Sequence, residues 1–407
     1  MRVLLTNYHT LAKTTTYRPG FFGRELARRG YDVTVLCTSD TRRSGHTVHT
    51  DAGVTYVQAP DLLWGKMRTG WDVWNLLNRR AILKGAEYDL IHAFETRPAT
   101  IHPVRGHLRS TPTPLVIDWI DWWGRGGLIR EHRPWWYRLL FAGIETFYEE
   151  HFRTMADATT VISRALGERA TGLGVRRDSI FWVPNGCPIE AVEAVPSRTH
   201  RSRFGIPASA FVVADSAMDV TLGIEQTLRA TASMAAECPD VLFLMTGGKE
   251  REIGRMATRL GVSDRVRHLG VLPYTDLAAA LSCADVFLMV YPDCVANRGR
   301  WPGRMGTYLA LGRPVVSNPV GEVRLLFESE KCGVLAENSP EAMARAVLAL
   351  RNAPATAAEL GARARRVAES MSWARMTDRV EQAYAFAREG LKDRLVAGTA
   401  LAARDPL

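Results

Sequence analysis

Short apolar runs alternate with longer amphipathic stretches along most of the chain. The first two apolar runs lie at 3–5 and 33–36. Between them, the pattern predicts a helix over 19–29, with Phe22 and Leu26 on one face and Gly30 just past its end. A strand, a helix and a second strand with short joins form a βαβ unit, which requires a parallel sheet.

The same alternation continues downstream in two series. Further strands are predicted at 90–91, 115–117, 159–162 and 180–183, and then at 211–214, 241–245, 266–269, 286–290, 314–317 and 333–335. A polar segment with prolines and arginines separates the two series between residues 190 and 209. We therefore predict an α/β protein with two Rossmann-like doubly wound domains facing a cleft. The expected bounds are 1–190 and 200–372, with a helix over 373–395 crossing back to the first domain.

Composition and charge narrow the class of protein. The chain has 407 residues, 46% hydrophobic and 23% charged, as is typical of a globular protein. Apolar runs are too short to span a membrane, the first residues read as a strand, and the six cysteines are scattered, so we expect a cytoplasmic protein. The net charge of +9 favours an anionic partner: the phosphates of a nucleotide donor, an anionic membrane surface or nucleic acid. No nucleic-acid-binding module is recognisable, so nucleic acid is not expected.

The segment 297–316 is the most informative one for chemistry. It joins two predicted strands, and a helix is predicted to begin at Pro302 and Gly303. The free N–H groups and the dipole at a helix N-terminus attract anions, and Arg298, Arg300 and Arg304 surround this one. Guanidinium groups suit bidentate phosphate contacts. The alternative is a solvated basic loop that precedes a core helix.

Several stretches together resemble a known family. They are Trp-Pro-Gly-Arg-Met-Gly-Thr at 301–307 with Val-Gly-Glu at 320–322, Met-Ala-Asp-Ala at 155–158, Val-Pro-Asn-Gly at 183–186, His-Leu-Gly-Val-Leu-Pro at 268–273 and Ala-Asp-Val-Phe-Leu at 284–288. In order and spacing they are similar to motifs of the retaining GT-B glycosyltransferases of family four, the group 1 type. The resemblance implies a GT-B architecture and a retaining hexosyltransferase that moves a sugar from a nucleoside-diphosphate sugar to an acceptor hydroxyl.

The resemblance also implies where the donor binds. Its base would lie near Gly270 and Leu272, and its diphosphate on the helix that begins at Gly303. The donor-binding residues expected on this basis are Arg298, Arg300, Gly303, Gly306, Thr307, Gly270, Leu272 and Gly247. The implied mechanism is front-face substitution, in which a phosphate oxygen takes the acceptor's proton, and Arg304 stabilises the leaving diphosphate as a catalytic residue. No Asp-x-Asp pair is present, so neither a metal nor any other cofactor is expected.

Three features depart from the family pattern. Thr307 stands where the family has an acidic residue that binds the ribose, and Leu222 stands where it has a lysine. The arginine that usually follows the first strand of the second domain is not evident at 216–218. Loss of a cation at a phosphate costs charge-assisted hydrogen bonds. The alternative hypothesis is therefore a catalytically inactive GT-B protein that binds a nucleotide or a glycan as a partner subunit.

In the first domain, Asp118 and Asp121 follow a predicted strand within a tryptophan- and glycine-rich stretch. Both are candidate catalytic residues at a sugar, although an Asp pair capping the next helix, with tryptophans in the core, remains an alternative. His92, Tyr17 and Gly20 are further candidates for sugar contact, because each follows a predicted strand or lies where the family has a glycine-rich loop.

The stretch 130–153 is aromatic and basic. We expect a core helix of the first domain, the commoner outcome for such a stripe. The alternative is an interfacial helix on an anionic membrane surface, which would make this a peripheral protein at the inner face of the membrane. On that alternative, a lipid-linked acceptor is favoured over a glycan or a small molecule. The acceptor itself is not readable from the sequence.

Overall fold

A computed structural model describes residues 1–62, 70–193, 200–218 and 223–396. The chain forms two compact units. The first runs from Met1 to Pro184 and includes the helix that begins at Trp373, and the second covers Asn185–Ser372. The first unit therefore ends at Pro184, whereas the sequence suggested a boundary near 190. Each unit contains a mainly parallel sheet with helices, as the predicted α/β fold class requires.

Within its described residues, the first unit contains an eight-stranded sheet in the order β3-β4-β2-β1-β5-β6-β7-β8. Its strands are β1 Arg2–Thr10, β2 Asp32–Thr38, β3 Thr47–Asp51, β4 Val54–Ala59, β5 Leu90–Phe94, β6 Leu115–Trp119, β7 Ala158–Val161 and β8 Ile180–Trp182. All neighbours are parallel except β3 with β4. The sequence did not predict β3 and β4. The edge strand β3 exposes four of its five residues and lacks an apolar run, and β4 mixes polar and apolar residues.

The helices of the first unit pack around this sheet. They are α1 Leu11–Thr15, α2 Arg18–Arg28, α3 Val73–Leu83, α4 Pro98–Leu108, α5 Leu128–His132, α6 Trp135–Glu150, α7 Arg164–Gly172 and α17 Trp373–Val396. The core includes Leu4, Ile91 and Ile117 from neighbouring strands. The helix α17 is fastened to this unit by ion pairs from Arg29 to Asp378 and Glu381.

The second unit contains, among its described residues, a six-stranded parallel sheet in the order β11-β10-β9-β12-β13-β14. Its strands are β9 Phe211–Ala217, β10 Val241–Gly247, β11 Val266–His268, β12 Val286–Met289, β13 Val315–Ser317 and β14 Val334–Leu335. Its helices are α8 Ile189–Glu193, α9 Ile224–Met234, α10 Glu250–Arg259, α11 Tyr274–Leu281, α12 Val295–Arg298, α13 Gly303–Ala310, α14 Gly321–Glu330, α15 Pro340–Asn352 and α16 Pro354–Ser370. This strand order is that of the doubly wound dinucleotide-binding fold.

The helix α6 corrects one prediction. The stretch 130–153 was expected to form a core helix, but α6 exposes its apolar face and buries Glu145 and Glu149. The core prediction was wrong because apolar spacing alone does not tell which face of a helix meets the protein. Among the described residues, no helix combines the length and the apolar character that crossing a bilayer requires.

Candidate functional site

Each sheet has a point where the chain reverses its direction of strand addition. In the first unit this point lies between β1 and β5, and in the second it lies between β9 and β12. In doubly wound sheets, ligands bind beyond the carboxyl ends of the strands at this switch point. The functional residues are therefore sought at these two places.

At the switch point of the second unit, a buried ion pair joins α13 to β9. Arg304 Nη1 lies 3.1 Å from Asp215 Oδ2, and both side chains are almost fully buried. Asp215 Oδ1 accepts hydrogen bonds from the Tyr308 hydroxyl, at 2.8 Å, and from the Ser216 amide, at 2.9 Å. Burial opposes the charge of Arg304, but Asp215 and Tyr291 outweigh it and raise the pKa of Arg304 above its ordinary value. The guanidinium therefore stays charged.

This geometry changes the expectation for Arg304. The sequence placed it in the first turn of the phosphate helix, where its guanidinium would reach the diphosphate. In the structure, the guanidinium donates to Asp215 and to the Ser216 carbonyl and stacks over the Tyr291 ring at 4.6 Å. Its Nε is buried without a partner among the described residues. The side chain thus anchors α13, and removing it would leave Asp215 buried and unpaired.

Gly247 and Gly270 meet at the neighbouring strand ends. The Gly247 amide donates to the Gly270 carbonyl at 2.8 Å. Gly247 has φ +118°, and a Cβ there would lie 2.0 Å from the Ala217 carbonyl oxygen, so only glycine fits. Leu272, two residues beyond Gly270, is half-buried. The structure therefore brings Gly247 and Gly270 to the end of β9, where Gly247 pairs with Ala217 and the preceding Ser216 accepts from Arg304.

The remaining donor candidates lie around the start of α13. Gly303 is exposed at the first position of the helix, and its N-cap residue Pro302 supplies no side-chain hydrogen bond. Gly306 is buried one turn later, and Thr307 is half-buried. Arg298 and Arg300 lie in the segment that precedes α13.

Arg298 and Arg300 differ in whether their guanidinium groups already form an ion pair within the protein. Arg298 is exposed and forms a bidentate ion pair with Asp293, at 2.6 and 2.9 Å. The side chain of Arg300 is half-buried and makes no hydrogen bond or ion pair within the described part of the chain. Arg300 is therefore the arginine of this loop with an uncommitted guanidinium.

In the first unit, Asp118 and His92 lie below the surface. The Asp118 carboxylate is fully buried, forms a bidentate ion pair with Arg18 at 2.8 Å for each bond, and accepts from the Thr160 hydroxyl. His92 bonds to Thr160 and to the Tyr384 hydroxyl, and burial lowers the pKa of His92 to about 4. The predicted sugar contacts by Asp118 and His92 lack a geometric basis, because both side chains are enclosed and fully engaged.

Asp121 and Tyr17 lie nearer to the surface of the first unit, and Gly20 is buried in the first turn of α2. Asp121 and Tyr17 are half-buried, and burial together with the Asp121 charge raises the pKa of Tyr17 well above its ordinary value. The Tyr17 and His9 rings make an edge contact with centroids 5.4 Å apart. A Cβ on Gly20 would lie 2.5 Å from the Thr14 carbonyl oxygen, so this glycine allows α2 to pack against the preceding turn.

Sequence reasoning missed other residues at this edge. The Arg97 guanidinium lies between the rings of Tyr8 and Trp123, at 4.5 and 4.8 Å from their centroids. Glu95 has φ +67°, and burial raises its pKa to about 7 against the opposing charge of Arg153. Tyr8, Glu95 and Arg97 all lie at or just after the carboxyl ends of β1 and β5. That position was the available signal.

One departure from the family pattern, Leu222, lies outside the described residues. Thr307 is described, and it brings no carboxylate to the start of α13. Within the described ranges, no group of three or more His, Cys, Asp or Glu side chains has an arrangement that would hold a metal ion.

Comparison with known proteins adds to this geometry. A family model described as a glycosyl transferase 4-like domain matches residues 22–186. A second, described as glycosyl transferases group 1, matches residues 211–352. The two matched ranges fall within the first and the second unit, apart from the last two residues of the first match, 185 and 186.

Curated relatives match part of the chain. The 2-deoxystreptamine glucosyltransferase of Streptomyces kanamyceticus is 27% identical over 221 residues, which are 53% of this chain and 52% of that protein. The chain thus spans about half the length of the curated relatives that it matches.

Solved structures match nearly the whole chain. Sucrose-phosphate synthase from Thermosynechococcus elongatus has a TM-score of 0.74 at 16% identity, covering 94% of this chain and 98% of that one. Anabaena Alr3699/HepE, solved in complex with UDP and glucose, has a TM-score of 0.71 at 15% identity, covering 95% and 99%. At such identities the likeness shows the fold. Together with the two family models, it establishes that the chain belongs to the group 1 glycosyltransferases with the GT-B fold.

Proposed function

We propose that the chain transfers a hexose from a nucleoside-diphosphate sugar to an acceptor hydroxyl, with retention of configuration and without a metal ion. The observation that carries the proposal is the exposed start of α13 at the edge of the second sheet, beside the switch point between β9 and β12. Membership of the group 1 glycosyltransferases supports the reaction class.

The diphosphate would bind at the first turn of α13. The N–H groups of this turn have no side-chain cap, and the helix dipole favours an anion there. Arg300 supplies a guanidinium that is not engaged within the described chain. On this proposal, Arg304 acts indirectly, because its ion pair with Asp215 holds α13 against β9.

The nucleoside would lie along the neighbouring strand ends. Gly270 has open space where a Cβ would stand and leaves its backbone accessible to a flat ring, and exposed Val271 and half-buried Leu272 supply apolar surface. Uridine is the first base to test, since the Anabaena protein was solved with UDP and with UDP-glucose.

The proposed chemistry needs no protein base. The acceptor oxygen bonds to the anomeric carbon on the face from which the diphosphate leaves, and the bond from that carbon to the phosphate oxygen breaks. The acceptor proton passes to an oxygen of the departing diphosphate. Electrostatic stabilisation of that group is then the main contribution of the protein. Arg300 and the α13 amides are the groups we assign to it.

The alternative, an inactive partner subunit, rests on the missing acidic residue at Thr307 and on Leu222. The comparisons do not favour it, because the matched families and relatives are described as transferases. Turnover of any donor would exclude it.

A thermal-shift screen with UDP, GDP, ADP, dTDP and their common sugars, with and without Mg²⁺, tests the proposal. We expect one nucleoside diphosphate to stabilise the protein equally with and without the metal. Arg300→Ala should weaken its affinity by about ten- to a hundredfold, since a hydrogen bond to a charged group contributes about 1.5–3 kcal/mol. The matched control is Arg298→Ala, which removes a guanidinium already paired with Asp293 and should change affinity less. No stabilisation by any nucleotide would contradict the proposal.

A further inference from the structure

The helix α6 has the opposite polarity to that of an ordinary surface helix. Its exposed apolar side chains recur at helical spacing and form one face, which we call the α6 apolar face: Trp135, Trp136, Leu139, Leu140, Ile144 and Phe147. Trp135 is 70% exposed, Leu139 78% and Leu140 67%. A surface helix of a globular protein normally turns such an apolar stripe toward the core.

The opposite face of α6 carries buried acidic side chains, and Glu149 fastens it to the first unit. Glu145 is buried and accepts a hydrogen bond from the Tyr137 hydroxyl of the same helix at 2.6 Å, so it marks the inward face without joining α6 to another element. Glu149 is buried, pairs with Arg169 at 3.0 Å and accepts from the Trp119 indole and the Trp123 amide. Because the Glu149 contacts reach three residues outside α6, they fix the helix with its apolar face outward.

Arginines border the α6 apolar face. Arg130 is exposed, Arg133 stacks over the Tyr137 ring at 5.0 Å, and Arg138 is half-buried. Glu131 is the exposed carboxylate of this stretch, since Glu145 and Glu149 are buried and Glu150 is paired with Arg125 and Arg169. The surface around the apolar face therefore carries net positive charge.

An open groove of about 1100 Å³ runs beside the helix. Arg125, Arg130 and Arg138 line it together with apolar side chains such as Ile129 and Phe147. Glu150 also lines the groove, but its charge is compensated by Arg125 and Arg169. The remaining cations beside apolar surface suit a phosphate-bearing headgroup next to hydrocarbon.

From these features, we propose that the α6 apolar face docks on an anionic lipid bilayer. Tryptophan and arginine at the start of the helix would lie at the level of the headgroups, with Leu139, Leu140 and Ile144 in the acyl boundary. Charge complementarity selects the occupant, because an anionic surface satisfies the bordering arginines. A second copy of the chain would instead bring the same arginines together. This inference does not depend on the donor chemistry.

Vesicle co-sedimentation of the full chain tests the inference. We expect binding to vesicles of phosphatidylcholine with phosphatidylglycerol, and much weaker binding to phosphatidylcholine alone, with salt reducing the difference. The double variant Leu139→Ser, Leu140→Ser should lose binding by about tenfold or more, since each leucine contributes its apolar burial. Because both residues are exposed, the variant is expected to fold, which circular dichroism verifies.

Matched controls separate the face from the rest of the surface. Val48→Ser removes an apolar side chain that is 59% exposed on β3 of the same unit, and it should keep full binding. Arg130→Ala should reduce binding to anionic vesicles, whereas Arg251→Ala, which removes another exposed arginine in the second unit, should not.

Three results would overturn the inference. They are no binding to any vesicle, binding that the leucine variant keeps, and equal binding to neutral and anionic vesicles. A dimer in light scattering that the leucine variant abolishes, without vesicle binding, would assign the face to a second copy of the chain.

Discussion

Each unit buries, among its described residues, an arginine–aspartate pair near the carboxyl edge of its sheet, and the two pairs differ in how completely they are satisfied. Arg18 and Asp118 are both fully enclosed and joined by two bonds of 2.8 Å, with Thr160 as a further donor. Arg304 makes one contact of 3.1 Å with Asp215, and its Nε has no partner within the described residues. The first pair therefore serves as a closed structural joint. The second leaves the arginine with donor capacity beside the start of α13.

The largest effect is expected when the closed pair is broken. Arg18→Met would leave the Asp118 carboxylate buried without its cation and should destabilise the first unit by about 3–5 kcal/mol in urea unfolding. Arg28→Met is the control on the same helix, because Arg28 is 65% exposed and pairs with Glu25 on the surface. That control should cost less than about 1 kcal/mol. Equal costs for the two variants would show that the Arg18 pair is not a structural joint.

The next effect depends on pH and concerns Glu95 at the edge of the first unit. Burial raises its pKa from 4.5 to about 7. A carboxyl group with a raised folded pKa contributes stability that is present below the unfolded pKa and is lost as the pH rises through the folded one. Glu95→Gln should therefore gain about 3 kcal/mol relative to the wild type as the pH rises from 4.5 past 7, at about 1.4 kcal/mol per pH unit.

Urea unfolding of both proteins across this pH range measures the difference. Glu131→Gln, an exposed glutamate in the same unit, serves as the control and should leave the pH profile unchanged. A Glu95→Gln difference that stays constant with pH would refute the raised pKa of the buried Glu95 carboxyl group.

The smallest effect is expected for the open pair. Asp215→Asn keeps the volume and an acceptor for Tyr308, and the bond from Arg304 to the Ser216 carbonyl remains. We expect a loss of about 1–3 kcal/mol in urea unfolding, together with weaker nucleotide binding. Asp293→Asn, in an exposed pair, should cost less than about 1 kcal/mol. A cost for Asp215→Asn above that of Arg18→Met would reverse the comparison.

Most of the fold was predictable because its strands are apolar and buried on both faces. The apolar runs at β1, β2, β9 and β10 stand out for this reason. Helices are then expected between the strands, because parallel strands need crossover connections. The edge strand β3 was missed because it faces water, and its neighbour β4 was missed because it mixes polar and apolar residues. The orientation of α6 was missed because its inward residues, Glu145 and Glu149, are of a type that is seldom buried.

The site was predictable where the backbone decides it and not where partners are distant in sequence. Gly247 and Gly270 have positive φ angles at strand ends. A glycine at the end of a predicted strand indicates this backbone conformation. The partners of Arg18 and Arg304 are 100 and 89 residues away, and no local pattern gives such pairs. For that reason the sequence assigned Asp118 and Arg304 to ligand contact, whereas the structure assigns both to buried ion pairs.

Hydrogen–deuterium exchange with a bound nucleoside diphosphate tests the central claim most directly. Using the nucleotide that gives the largest thermal shift, we expect amides at the start of α13, at 303–306, and at the strand end near Gly270 to become protected. Amides around Asp118 in the first unit should exchange as before. Protection confined to the first unit, or none at 303–306, would contradict a diphosphate site on α13.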